Sequence, residues 1–312
     1  MSGLSKRQRS PVTDTAWHPR NWGQCLTIAL LWLLARLPWR WSLAVGRGLG
    51  RGLGPLARSR REIARRNLAL CFPERSTEER EQLLEANTRG TGQAIAETAL
   101  AWFGGPSVDQ IPCRVDGEEH LIHARATGSG RVILLSAHFL ALEMATRLMP
   151  DRIRLAAMYK PMRKRPVMDR AMRAARQRNL SAAISRDDVR EIIRAIRHGH
   201  APCFFGDQDY GGPHSVFVPF FGVPANTITA LSRFCRMSQA IVVPIFALRE
   251  PNGGYLIQFQ PALEGFPSGD DTADAARMNR IMEAMIRRYP EQYLWMHRRF
   301  KRRPDPDAPS LY

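Results

Sequence analysis

In RVILLSAHFLALE, residues 131–143, an apolar run that reads as a strand meets the start of a helical pattern. His138 stands at the join and Glu143 follows it in an H-x4-E spacing. Five residues of ideal helix turn the chain by about 500°, so the two would not share a helix face. They can meet only if His138 sits in the strand-to-helix turn and Glu143 in the first helical turns. One ring nitrogen could then face a substrate hydroxyl while the other donates to Glu143, fixing the tautomer and stabilising the charged ring. That is the equipment of a general base; the alternative is an ordinary polar pair. A zinc centre is disfavoured, because H-E-x-x-H is absent and no further Cys or His lies nearby in sequence. Ser136 lacks the G-x-S-x-G turn that would expose a nucleophile.

Two further groups could serve chemistry. In FFGDQDYGG, residues 204–212, Asp207 and Asp209 leave another apolar run. Two carboxylates alone make thin evidence for a metal, so none is expected, and they could instead orient arginines such as Arg176. Between Asp151 and His200, fourteen Lys and Arg oppose five Asp and Glu, which places nine of the net seventeen positive charges there. The densest part is YKPMRKRP, residues 159–166, with Arg163 and Lys164 at its centre. Most of these charges read equally well as a solvated surface. A nucleic-acid groove would interleave aromatic residues for stacking, and Tyr159 is the only aromatic residue between 151 and 200, so nucleic acid is not expected.

The elements that must position these residues follow from hydrophobic rhythm. Apolar runs at 131–137, 153–159, 201–206, 216–221, 241–248 and 255–260 predict strands. Helical patterns at 139–149, 166–178, 187–198, 226–237 and 272–288 separate most of them. The alternation predicts an α/β fold, a sheet with helices packed on it, over residues 113–312. Residues 42–112 read as helical, with a break at CFPERSTEER, where Ser76 or Thr77 can cap the next helix ahead of Glu79. The glycine run LAVGRGLGRGLG, residues 43–54, follows no strand and reads as close-packing positions on a helix rather than a dinucleotide loop. The apolar SVFVPFFGVPANT could be core or a wall for an acyl chain.

Residues 1–20 are polar, basic and expected to be flexible. Residues 21–35 then carry no charge, and fifteen helical residues reach about 22 Å against a hydrocarbon core of roughly 30 Å. Trp22, Trp32, Trp39 and Trp41 flank or punctuate the run, so residues 21–41 are expected to be a membrane-anchoring helix, spanning or half-embedded. No small-residue cleavage site follows convincingly, which argues against a removed signal peptide. The 312 residues are 44% hydrophobic, enough for a sizeable core, and carry +17, a charge that seeks polyanions. Five scattered cysteines without a C-x-x-C pair fit a reducing cytoplasm.

Taken in order, HPRNW (18–22), RRNLALCFPE (65–74), ETALAWF (97–103), HFLALE (138–143), DQDYG (207–211), SVFVPFFG (215–222) and PEQYLWMHRRFKRRP (290–304) resemble the late acyltransferases of lipid A biosynthesis, the lauroyl/myristoyl transferase family. The YG after Asp209 and the ending WMHRRFKRRP look more like the lauroyl branch. The resemblance implies a glycerolipid-acyltransferase-like α/β sandwich with a central mixed sheet. It implies His138 and Glu143 as the catalytic dyad, with Arg176 and Asp207 at further positions on which activity depends. The implied donor is an acyl carrier protein, and the acceptor a hydroxyl on a 3-hydroxyacyl chain of a Kdo-bearing lipid A precursor. No cofactor of the enzyme's own is implied, and the implied location is the cytoplasmic face of the inner membrane. Two other readings stay open on sequence: an acyltransferase for another phospholipid or glycolipid, and a non-catalytic basic protein that binds membrane or nucleic acid.

Overall fold

The computed structural model describes residues 18–53 and 57–312. All but the last three residues of the expected flexible basic tail, residues 1–20, therefore lie outside the described residues.

The first described helices are α1 (Trp22–Leu34) and α2 (Trp39–Leu53). The expected single anchor helix over 21–41 is thus two helices, because Pro38 lacks an N–H and turns the residue before it away from helical geometry. Helices α3 (Arg58–Cys71) and α4 (Thr77–Phe103) follow. Ser76 starts α4 with a capping box: its hydroxyl accepts from the Glu79 N–H at 3.1 Å, and its own N–H donates to the Glu79 carboxylate at 2.7 Å. The glycine run does pack closely. A Cβ on Gly92 of α4 would stand 2.3 Å from the backbone of both Gly46 and Gly50 of α2, so only glycine allows this crossing.

The α/β part contains β1 (Cys113–Asp116), α5 (Glu118–Ala126), β2 (Val132–Ser136), α6 (Leu142–Leu148), β3 (Leu155–Tyr159), α7 (Pro166–Asn179), β4 (Ala182–Ser185), α8 (Val189–Arg197) and β5 (Ala201–Phe205). It continues through β6 (Ser215–Phe220), β7 (Val223–Ile228), α9 (Ala230–Ser238), β8 (Ile241–Arg249), β9 (Tyr255–Phe259) and α10 (Asp271–Arg288). Seven strands form one sheet in the order β1-β9-β8-β2-β5-β3-β4, parallel except where β8 meets β9. It is the mixed sheet expected. Side chains alternate between two cores. Ile133, Leu135, Phe204 and Phe246 face α3 and α8–α10, while Leu134, Cys203, Val243 and Ile257 face α5 and α6.

Where expectation and structure differ, short elements are the cause. Strands β1 and β4 have four residues each, too few to show a rhythm. The helix expected from 226 begins only at Ala230, because residues 223–228 pair with β6 in a separate hairpin. One side of that hairpin is core: Phe220 and Phe221 stack edge-on with each other, and Phe221 also meets Phe72 and Trp295.

Candidate active site

Strands β2 and β5 are parallel neighbours, and Ser136 pairs with Phe205. His138 and Asp207 each lie two residues beyond that pair, so the register alone brings them together past the sheet's C-terminal edge. The His138 backbone N–H donates to Asp207 Oδ2 at 2.8 Å, and its Nδ1 lies 2.7 Å from Oδ1. Asp207 is 1% exposed. Burial pushes its carboxyl up; the charge of His138, two hydrogen bonds from that residue and one from the Tyr293 hydroxyl outweigh it and hold the pKa at about 2. When the ring is neutral, an ionised Asp207 keeps its one proton on Nδ1, which leaves the Nε2 lone pair for the other side of the ring. The loop is pinned from behind. Leu140 N–H donates to Gln292, Leu294 N–H donates to the His138 carbonyl, and Phe139 bridges Tyr293.

The partner expected for His138 was Glu143, and the structure assigns that carboxylate elsewhere. Glu143, in the first turn of α6, accepts from the Trp102 indole N–H at 3.0 Å and from the guanidinium of Arg176 on α7. The reason is geometric: α6 starts only at Leu142, so the helix carries Glu143 away from the imidazole face that Asp207 fills. Nor do the aspartates hold Arg176, a partner that the sequence left open for them. Asp207 holds His138, while Asp209 accepts from the backbone and guanidinium of Arg302, at 3.0 and 2.5 Å, in the C-terminal segment. Among the described residues no group of three or more His, Cys, Asp or Glu is placed to hold a metal ion.

His138, Glu143 and Arg176 all line one cavity of about 1160 Å³. Lys160 also lines it, from the turn after β3, and Arg163 and Lys164 stand exposed farther along that turn. Sequence reasoning missed Trp102 and Tyr293 as site residues. Both sit inside quoted motifs, yet neither is close in sequence to the group it contacts.

An imidazole held by a buried carboxylate beside a large cavity is an arrangement that can move a proton, and comparison with known proteins places the chain in a family. Residues 11–302 match the family model described as bacterial lipid A biosynthesis acyltransferase. The chain belongs to that family. The lipid A biosynthesis palmitoleoyltransferase of Escherichia coli (strain K12) is 38% identical over 95% of this chain and 96% of its own. The lauroyltransferase of the same organism is 36% identical over 95% and 96%, and its myristoyltransferase 33% identical over 92% and 89%. These figures show an acyltransferase of the lipid A family; they do not separate the lauroyl from the palmitoleoyl type. A solved 1-acyl-sn-glycerophosphate acyltransferase from Thermotoga maritima covers 85% of this chain and 97% of its own, at 14% identity and a TM-score of 0.35, a distance at which no site residue transfers.

Proposed function

We propose that this protein transfers a fatty acyl chain from acyl carrier protein to a hydroxyl on a 3-hydroxyacyl chain of a Kdo-bearing lipid A precursor, with His138 as general base. The observation that carries the reading is the commitment of Nδ1 to buried Asp207, which leaves Nε2 as the basic atom of a histidine that lines the cavity. Nε2 takes the proton of the acceptor hydroxyl, and the oxygen attacks the thioester carbon. The C–S bond then breaks, and the proton returns from Nε2 to the departing thiolate. Arg176, held by Glu143, supplies positive charge where the carbonyl oxygen becomes negative. Base and nucleophile belong to different molecules, so no acyl-enzyme is required.

The surfaces suit both substrates. Exposed cations at the cavity mouth complement an acidic carrier protein and the phosphates and carboxylates of the acceptor. Trp22, Leu26, Leu30 and Leu33 recur three or four residues apart on α1 and are 56–63% exposed, an apolar stripe with room for acyl chains. No described helix is long and apolar enough to cross a membrane. The reading is therefore an enzyme half-embedded through α1 and the start of α2, on the cytoplasmic face of the inner membrane where carrier protein is present.

The test supplies purified protein with acyl-loaded carrier protein and the lipid A precursor, and weighs the acceptor by mass spectrometry. A gain of one acyl chain, lost in His138→Ala, is expected. Transfer to a phospholipid in preference to the lipid A precursor would overturn the acceptor assignment.

A further inference from the structure

The cavity beside His138 does not stay on one side of the sheet. Ala157 and Cys203 point to the face beneath α6, Ala156 and Phe204 to the face beneath α8 and α9, and all four line it. Two lobes therefore meet at the sheet's C-terminal edge, next to His138. The lobe toward α9 is walled partly by Arg186, His214, Arg233 and Asp271. The lobe beneath α6 ends among apolar side chains, Leu155 and Ile257 included.

A second cavity of about 210 Å³ lies against the lower end of that apolar lobe. Met149, Leu155 and Leu180 line both cavities, and each is buried. These three side chains form a partition between them. On its far side the smaller cavity is bordered by Asp151, Arg178 and Asn179.

We propose that the lobe beneath α6 receives the transferred acyl chain, and that the Met149–Leu155–Leu180 partition sets the longest chain it accepts. The proposal rests on the acyl-transfer reading above. Strand register gives the depth. Ser136 stands beside Phe205, and Ala157 beside Cys203, so Tyr159 is level with both at the sheet's edge. Leu155 starts the strand that Tyr159 ends, which places it about 13 Å below the edge at roughly 3.3 Å per residue. An extended alkyl chain, with bonds of about 1.5 Å, advances roughly 1.25 Å per carbon, so about ten carbons lie between the edge and the partition, below the one or two carbons held above the edge at His138. Decanoyl and dodecanoyl chains fit this depth; a hexadecanoyl chain meets the wall. Each methylene denied room in an apolar pocket costs about tenfold or more in kcat/KM.

The experiment measures kcat/KM for carrier-protein thioesters from octanoyl to octadecanoyl, on the wild type, Leu180→Ala and Met149→Ala. In parallel, calorimetry follows binding of the matching free fatty acids, which needs no acceptor. The wild type should peak at decanoyl to dodecanoyl. Opening the partition joins the two cavities and should move the optimum to tetradecanoyl or longer, with at least a tenfold gain for hexadecanoyl relative to dodecanoyl. Ala157→Leu narrows the lobe and should move the optimum to shorter chains; it serves if the truncations fail to fold. Unchanged chain-length profiles in folded variants overturn the proposal. Binding profiles that shift as expected, from an enzyme that acylates no lipid A precursor, would instead overturn the function proposed above and leave the partition standing.

Discussion

In the proposed reaction the chemistry turns on His138, and the groups around it divide into two independent pairs. His138→Ala should lower turnover by about two to four orders of magnitude without loss of the fold. Asp207→Asn keeps the shape but no longer forces the proton onto Nδ1, so a loss of comparable size is expected. Glu143→Gln should act differently, because it loosens Arg176 rather than the imidazole; a double variant with Arg176→Gln should then cost little beyond either single change. Strict additivity between those two would show that Glu143 does not work through Arg176. Asp207 also makes a pH prediction. Its pKa is about 2 when folded and about 3.9 when unfolded, so it stabilises the protein above pH 4 and loses that contribution as pH falls from about 4 to 2. The amount is roughly 2 to 3 kcal/mol, read as acid unfolding that is flatter over that window in Asp207→Asn. Sequence showed His138 in its strand-to-helix turn but paired it wrongly. Neighbours along the chain are visible in a sequence; a partner on the next strand depends on strand order, which is not.

Elements were legible in proportion to their length. The capping box at Ser76 could be read because all its parts lie within four residues. Ser76→Ala should cost about 1 kcal/mol, measured by denaturant unfolding, with activity unchanged below the transition. Strand β6 was legible at 216–221, whereas β4 and β7 escaped because their pairing, rather than their composition, makes them strands. The glycine run shows the same division. Sequence identified a close-packed helix, but only the structure names Gly92 as the surface it meets. Gly92→Leu must push α2 away from α4, since the obstruction is backbone that no rotamer can relieve. Loss of soluble folded protein is expected, whereas Gly48→Leu, with open space around it, should be tolerated.

At the scale of the whole molecule, an apolar stripe and a cationic cavity mouth should contribute separately to location and catalysis. Deleting residues 18–41 should weaken membrane association and lower activity on membrane-embedded acceptor more than on detergent-dispersed acceptor. If the truncated protein stayed with membranes through a high-salt wash, another hydrophobic surface would be the anchor. Reversing Arg163, Lys164 and Arg165 to glutamate should raise KM for a charged substrate more than it lowers kcat. That effect should fade with salt, because exposed charges are screened beyond about 8 Å at physiological ionic strength. The chain's last helical and extended residues have a consequence of another kind. The His138 loop is held by Gln292 and Leu294, and Asp207 by Tyr293. A ribosome translating this message threads out the strand before His138 long before those residues emerge from its exit tunnel. The nascent chain must therefore wait until residues 292–294 have emerged before its His138 loop can be held in place, and a stalled or prematurely terminated copy ending before Gln292 should carry the whole sheet and an unpinned His138.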